Sequence, residues 1–189
     1  MCASSPRATE ASRRAGQCGQ SAVELALSLP VLVVLLMSVF NITVLISDRL
    51  VAGYATRQGA RMAAQLGNGQ GVAASQVDQQ ICQSVLVSAT NLNFATITEV
   101  DIYKVPSSAT GGALQSSYSQ DRYTVDSSLT TCTAIAPQTY AVASRGVAAP
   151  YEDSIGVRIL WQYTPPTGTY SVNIALDEFT VMKAAPVIG

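Results

Sequence analysis

The sequence predicts an α+β protein: a long N-terminal transmembrane helix extends into a small domain with a second helix and an antiparallel sheet. Three observations carry this. Leu25 to Ser47 is an uncharged apolar run. The next stretch, Asp48 to Leu66, is Ala-rich and free of proline. Ile155, Val157, Ile159, Trp161 and Tyr163 then alternate with smaller or polar residues, the clearest period of two in the chain.

The apolar run is 23 residues long, and roughly 20 are needed to cross the hydrocarbon core as a helix. The apolar core of a secretory signal peptide is shorter, about 7–15 residues. A buried core helix of a soluble protein is the competing reading, but such a core rarely holds a stretch this long and pure. Glu24 stands at the start of the run, where a carboxylate costs free energy in lipid. Pro30 removes a backbone donor inside it. Charge alone does not orient the span: Arg7, Arg13 and Arg14 precede it, and Arg49, Arg57 and Arg61 follow it closely.

Beyond the span, Gly67-Asn68-Gly69-Gln70-Gly71 ends the first helix. A second helix is expected from about Val72 to Thr90, with Val77, Ile81, Val85 and Ala89 on one stripe. Val100 and Ile102 mark a strand. Thr164 to Gly168 reads as a turn, Tyr170 to Leu176 as a further strand, and Phe179 to Lys183 as another. The Ser-, Thr-, Ala- and Gly-rich stretch from Pro106 to Asp153 reads as an irregular insertion. It is too long for a simple loop and either holds a short hairpin, with Tyr123-Thr124-Val125 as one strand, or stays without regular structure.

Composition narrows the function. Charged residues make up 12% of the chain, hydrophobic ones 48%, and the net charge is −1. No basic excess points to nucleic acid. There is no His, so the commonest general base and metal ligand is missing. No phosphate loop and no nucleophile–base pair is present. No cofactor and no metal is expected, and the chain reads as a non-enzyme. Glu152-Asp153 and Asp177-Glu178 read as solvated surface charge, and Trp161 as core.

The residues before the span add a specific signal. A basic leader runs through Arg13-Arg14 to Gly19; Gln20 follows, then Val23-Glu24, Ala26 and Pro30. This resembles the type IV prepilin processing motif, and within it the TadE-like minor pseudopilins of tight-adherence (Flp) pili. After the span, Ala55-Thr56-Arg57-Gln58-Gly59-Ala60-Arg61-Met62-Ala63 is similar to that family's Arg-Gly-Ala-Arg stretch. The segment Val157 to Pro166, then Val181-Met182-Lys183, matches its C-terminal pattern loosely.

The resemblance implies a division into a leader (1–19), a transmembrane helix (20–47), a helix extension (48–66) and an extracytoplasmic α+β domain (72–189) carrying the 106–153 insertion. It implies cleavage between Gly19 and Gln20 by a prepilin peptidase. Glu24 would then pair with the N-terminal amine of a neighbouring subunit, with Pro30 shaping the helix. The N-terminus would be cytoplasmic and the partners would be the bilayer, other pilins or pseudopilins and an assembly platform. The alternative is an uncleaved, signal-anchored surface domain acting as a binding module. With Cys2 and Cys18 in the leader, Cys82 and Cys132 remain. In an extracytoplasmic domain they suggest one disulfide, the alternative being two separate buried thiols.

Overall fold

The computed structural model describes residues 7–69, 71–109, 111–148, 151–166 and 173–185, with side chains from Ala22 onward. Two compact units result, Met1–Thr43 and Val44–Gly189. The described part of the first, from Arg7, is helix; the second is the α+β domain.

Helix α1 spans Arg7–Leu66 and α2 spans Ala74–Ser88. Five strands follow: β1 (Ala95–Val105), β2 (Gln120–Val125), β3 (Cys132–Ile135), β4 (Ser154–Tyr163) and β5 (Ile174–Lys183). They form one antiparallel sheet in the order β3-β2-β1-β4-β5. A short 3-10 turn, Val142–Ser144, lies between β3 and β4.

α1 stops where the sequence stops it. Gly67 takes φ +48 and its N–H donates to Ala63 O at 3.1 Å, a left-handed helix end that favours glycine. α2 begins two residues later than its apolar stripe suggested and buries Val77, Ile81 and Val85 as expected, together with Asp78, Cys82 and Leu86.

β1 and β4 form the centre of the sheet, with Val100 opposite Ile159 and Ile102 opposite Val157. Their alternation shifts at Thr98, where the register slips between Ile97 and Glu99. A bulge of this kind reverses which face each later residue takes. Ile97, Val100, Ile102, Ile155, Val157, Ile159, Trp161 and Tyr163 therefore join one core with the alanines of α1 and the apolar stripe of α2. Trp161 is core, 1% exposed. On the opposite face Tyr103 lies over Gly156, where a Cβ would come within 2.3 Å of its ring.

Of the two readings of the 106–153 stretch the hairpin holds: the stretch supplies β2 and β3, Tyr123-Thr124-Val125 is the end of β2, and the insertion is not irregular throughout. One expectation needs correcting. The two C-terminal strands expected from Tyr170 to Leu176 and Phe179 to Lys183 merge into one strand from Ile174; Tyr170 and Val172 lie outside the described residues.

Candidate membrane anchor and assembly region

From Ala22 to Thr43 the side chains of α1 are exposed, apart from the half-buried Ser38 and Asn41. Every large apolar residue there from Val23 to Ile42 is exposed, Leu27 by 71%. In a soluble domain such a surface would be a liability; in lipid it is the expected one. The few hydroxyls are satisfied by the helix itself. Ser28 Oγ donates to Leu25 O at 3.2 Å, Ser38 Oγ to Val34 O at 2.8 Å and Thr43 Oγ1 to Val39 O at 2.8 Å. Back-bonding to the preceding turn removes the cost of carrying an O–H into hydrocarbon. Pro30 lies inside the helix. Ala22–Leu66 is, among the described residues, the one helix long and apolar enough to cross a membrane, which fits a membrane-anchored protein with a C-terminal domain.

Glu24 is exposed on this helix. The expected cleavage site, Gly19 and Gln20, lies on the part of α1 whose side chains fall outside the described residues.

Past Val44 the same helix changes solvent. Ala52, Ala55, Ala60 and Ala63 are fully buried against the sheet and α2. Gly59 sits at the closest approach: a Cβ there would meet Val85 Cγ2 at 2.4 Å and Val157 Cγ1 at 3.2 Å. Arg57 and Arg61 point outward and are exposed. The Ala-x-Arg-x-Gly-Ala-Arg-x-Ala stretch is thus a packing code, with small residues inward and arginines outward.

Three polar contacts pin this part of α1. Asp48, at the start of the Ala-rich stretch, is wholly buried. Its two oxygens accept the Asn93 and Phe94 amides, both at 3.2 Å, so it caps the chain entering β1. Arg49 Nε lies 2.6 Å from Glu178 Oε1, and Thr56 and Thr180 share a hydroxyl hydrogen bond of 3.0 Å. The position of Asp48, directly after the apolar run, was the available signal, because a carboxylate there needs either water or donors.

The larger surprise is a buried polar cluster. Arg145 is fully buried; its Nη2 lies 2.7 Å from Asp78 Oδ1 and 3.5 Å from Asp121 Oδ2, and donates to Tyr140 O at 3.2 Å. Its guanidinium stacks over the Tyr140 ring at 4.7 Å. Burial raises the Asp78 pKa, with Arg145 working against the rise. Asp153, expected as surface charge, is also buried. It accepts from Tyr140 Oη at 3.1 Å and Gly146 N at 2.9 Å, and Lys104 Nζ is 2.7 Å away. Burial pushes its carboxyl up, but these partners outweigh that and hold it below the usual range. Glu152 pairs with Lys183 at 2.9 Å. Asp177 is exposed as expected.

Cys82 and Cys132 are joined as a disulfide that ties α2 to β3. No group of three or more His, Cys, Asp or Glu able to hold a metal occurs among the described residues.

No curated protein and no solved structure matches the chain. A family model described as TadE-like protein matches residues 19–61. That span begins at Gly19, includes Glu24 and Pro30, crosses the exposed apolar helix and ends at Arg61 in the packing stretch. Over residues 19–61 the chain is therefore similar to TadE-like proteins.

Proposed function

We propose that the chain is a minor pseudopilin that takes part in assembling a tight-adherence pilus. A prepilin peptidase cuts between Gly19 and Gln20 on the cytoplasmic side, and the α+β domain stands outside the cytoplasmic membrane. Gly at the cut lacks a Cβ, which lets a protease approach the backbone. Cleavage leaves Gln20 with a free amine. Glu24 then lies four residues on, about one helical turn away. A carboxylate in lipid is costly, and the N-terminal ammonium of a neighbouring subunit offsets much of that cost. Pairing rewards one stagger between subunits over others. Glycine, glutamate and proline together on one membrane helix, inside the TadE-like match, carry this reading.

Intact mass with N-terminal sequencing of the protein from its native membrane tests it. A start at Gln20 is expected. A start at Met1 would instead favour an uncleaved, signal-anchored binding module and end the pseudopilin reading. Glu24→Ala is expected to leave the protein at normal abundance in the membrane while reducing pilus number strongly. Undiminished piliation in that variant would remove the pairing mechanism.

A further inference from the structure

The two edges of the sheet are not alike. β3 is four residues long. Gln79 Nε2 donates to Cys132 O at 3.0 Å and Gln138 Nε2 to Ile135 O at 2.8 Å, and Pro137 follows closely. These are the usual defences of an edge: brevity, proline and occupied backbone groups. β5 has none of them. It is ten residues long, holds no proline, pairs with β4 without a register break, and none of its residues is buried. Among the described residues nothing pairs with its outer side. An open edge of that length presents a row of unused N–H and C=O groups to another strand.

The side chains say which strand. On the face away from α1, β5 reads Asp177, Phe179, Val181, Lys183. Turned end for end, that series is its own complement. In an antiparallel pair centred on Thr180, Asp177 faces Lys183 and Phe179 faces Val181, each twice by symmetry. Centring on Phe179 or Val181 leaves Asp177 without a basic partner. Cross-strand ion pairs and apolar pairs are what fix a register. Asp177 is exposed, and Lys183, beside Glu152, keeps its side chain 62% exposed. Lys183 Nζ is already paired with Glu152 at 2.9 Å, but an ammonium has three donors, so it can take a second carboxylate, Asp177 of the other chain.

We infer that β5 is a homotypic edge: it takes β5 of a second copy of this chain, antiparallel and centred on Thr180, so that one sheet runs through both copies. The contact is isologous, the same patch on each side of a two-fold axis.

Its geometry has a consequence for direction. α1 runs alongside β5 in the same sense: Arg49 meets Glu178, Thr56 meets Thr180, and Ala64 O accepts from Ala185 N at 2.8 Å. An antiparallel β5 pair therefore turns the two Val44 ends in opposite directions. The interface is distinct from packing between membrane helices and holds whether or not the leader is cleaved.

Crosslinking of the full chain in detergent tests this, with Cys2→Ser and Cys18→Ser so that Cys82 and Cys132 are the remaining native cysteines. Directly opposed residues in an antiparallel pair have Cα atoms about 4.5–5.5 Å apart, inside the window of about 4.4–6.8 Å for a disulfide. Thr180→Cys should then run mostly as a covalent dimer on a non-reducing gel, whereas Gln76→Cys, exposed on α2, should not. By light scattering the unsubstituted chain should be a dimer after correction for detergent. Asp177→Lys should make it a monomer, and adding Lys183→Asp should restore the dimer. The charge exchange leaves the Thr180–Thr56 contact intact, so it stands even if Thr180→Cys folds poorly. A monomeric unsubstituted chain, equal crosslinking at positions 76 and 180, or a dimer lost with Asp177→Lys and not restored by the exchange would each overturn the proposal.

Discussion

The two halves of the sheet are held by different chemistry. β1, β4 and β5 are covered by α1 and α2 through Ala, Val, Ile and Trp, with Gly59 letting the backbones close up. β2, β3 and the chain from Pro137 to Asp153 are held mostly by a buried arginine, its carboxylates and a disulfide. The first half is stabilised by area removed from water, which tolerates small changes of shape. The second depends on a few partners that must all be present, because a buried charge left alone is costly. Damage should therefore be graded in the first half and abrupt in the second.

The largest expected effect comes from breaking the polar half at its centre. Arg145→Ala leaves Asp78 and Asp121 buried without their cation and should cost about 3–5 kcal/mol. The check is the midpoint of urea unfolding in the same detergent. Replacing Asp78 and Asp121 by Asn in the Arg145→Ala background should recover part of the loss. A loss under about 1 kcal/mol for Arg145→Ala would mean the cluster is wet and contributes little.

Next is the disulfide. Cys82→Ser with Cys132→Ser opens a loop of 50 residues, and a loss of about 2–4 kcal/mol is expected. Hydrogen exchange should show where it falls: faster exchange in β2 and β3, with β1 and β4 little changed. Uniform acceleration over all five strands would show that the two halves do not separate.

In the apolar half, Gly59→Val should cost about 1–3 kcal/mol, because its Cβ would meet Val85 and Val157 and force the helix outward. Gly59→Ala should cost less. Arg57→Ala and Arg61→Ala, on the exposed side, should change thermal stability little. Equal losses at positions 57 and 59 would contradict the packing code read from the Arg-Gly-Ala-Arg stretch.

The same division explains what could be read beforehand. The membrane helix, α2, β1 and β4 announce themselves through periodicity, since each buries one apolar face against one neighbour. β2 and β3 do not. Gln120 to Val125 carries Asp121 on the buried side where an apolar residue is expected, and its partner Arg145 lies 24 positions away in a stretch without a period. Periodicity reports local burial; it does not report a long-range ion pair. Asp78 and Asp153 were missed for that reason, and Asp48 because its partners are backbone amides distant in sequence. The Cys82–Cys132 link could be anticipated by counting once the leader was set aside. Gly19, Glu24 and Pro30 were legible as a spacing, and the TadE-like match spans all three.

The smallest expected effect lies where the halves meet. On the face away from α1, a ladder of charge crosses three strands: Arg122 on β2, Glu99 and Asp101 on β1, and Arg158 on β4. Arg122 Nε is 2.6 Å from Glu99 Oε1, and Arg158 Nη2 is 2.5 Å from Asp101 Oδ2. Asp101 is wholly buried. Burial, and then the neighbouring Glu99, push its pKa up to about 6 despite Arg158. Burial also works against Glu99, but Arg122 outweighs it and holds that carboxyl low. An acid whose pKa is higher folded than unfolded binds its proton more tightly in the native state. Its contribution is complete below the unfolded value of about 4 and is lost as pH rises through about 6. Glu99 and Asp153 have the opposite sign, and their contributions fall away only below about pH 4. Between pH 7 and pH 5 the chain should therefore become slightly more stable, by no more than about 1.4 kcal/mol per pH unit for one group. Thermal unfolding at the two pH values reads this directly. Asp101→Asn should abolish the rise, since the amide does not titrate. If the rise survives in Asp101→Asn, the titrating group lies elsewhere, and Asp78 in the Arg145 cluster, whose pKa is also raised, becomes the group that couples the two halves to pH.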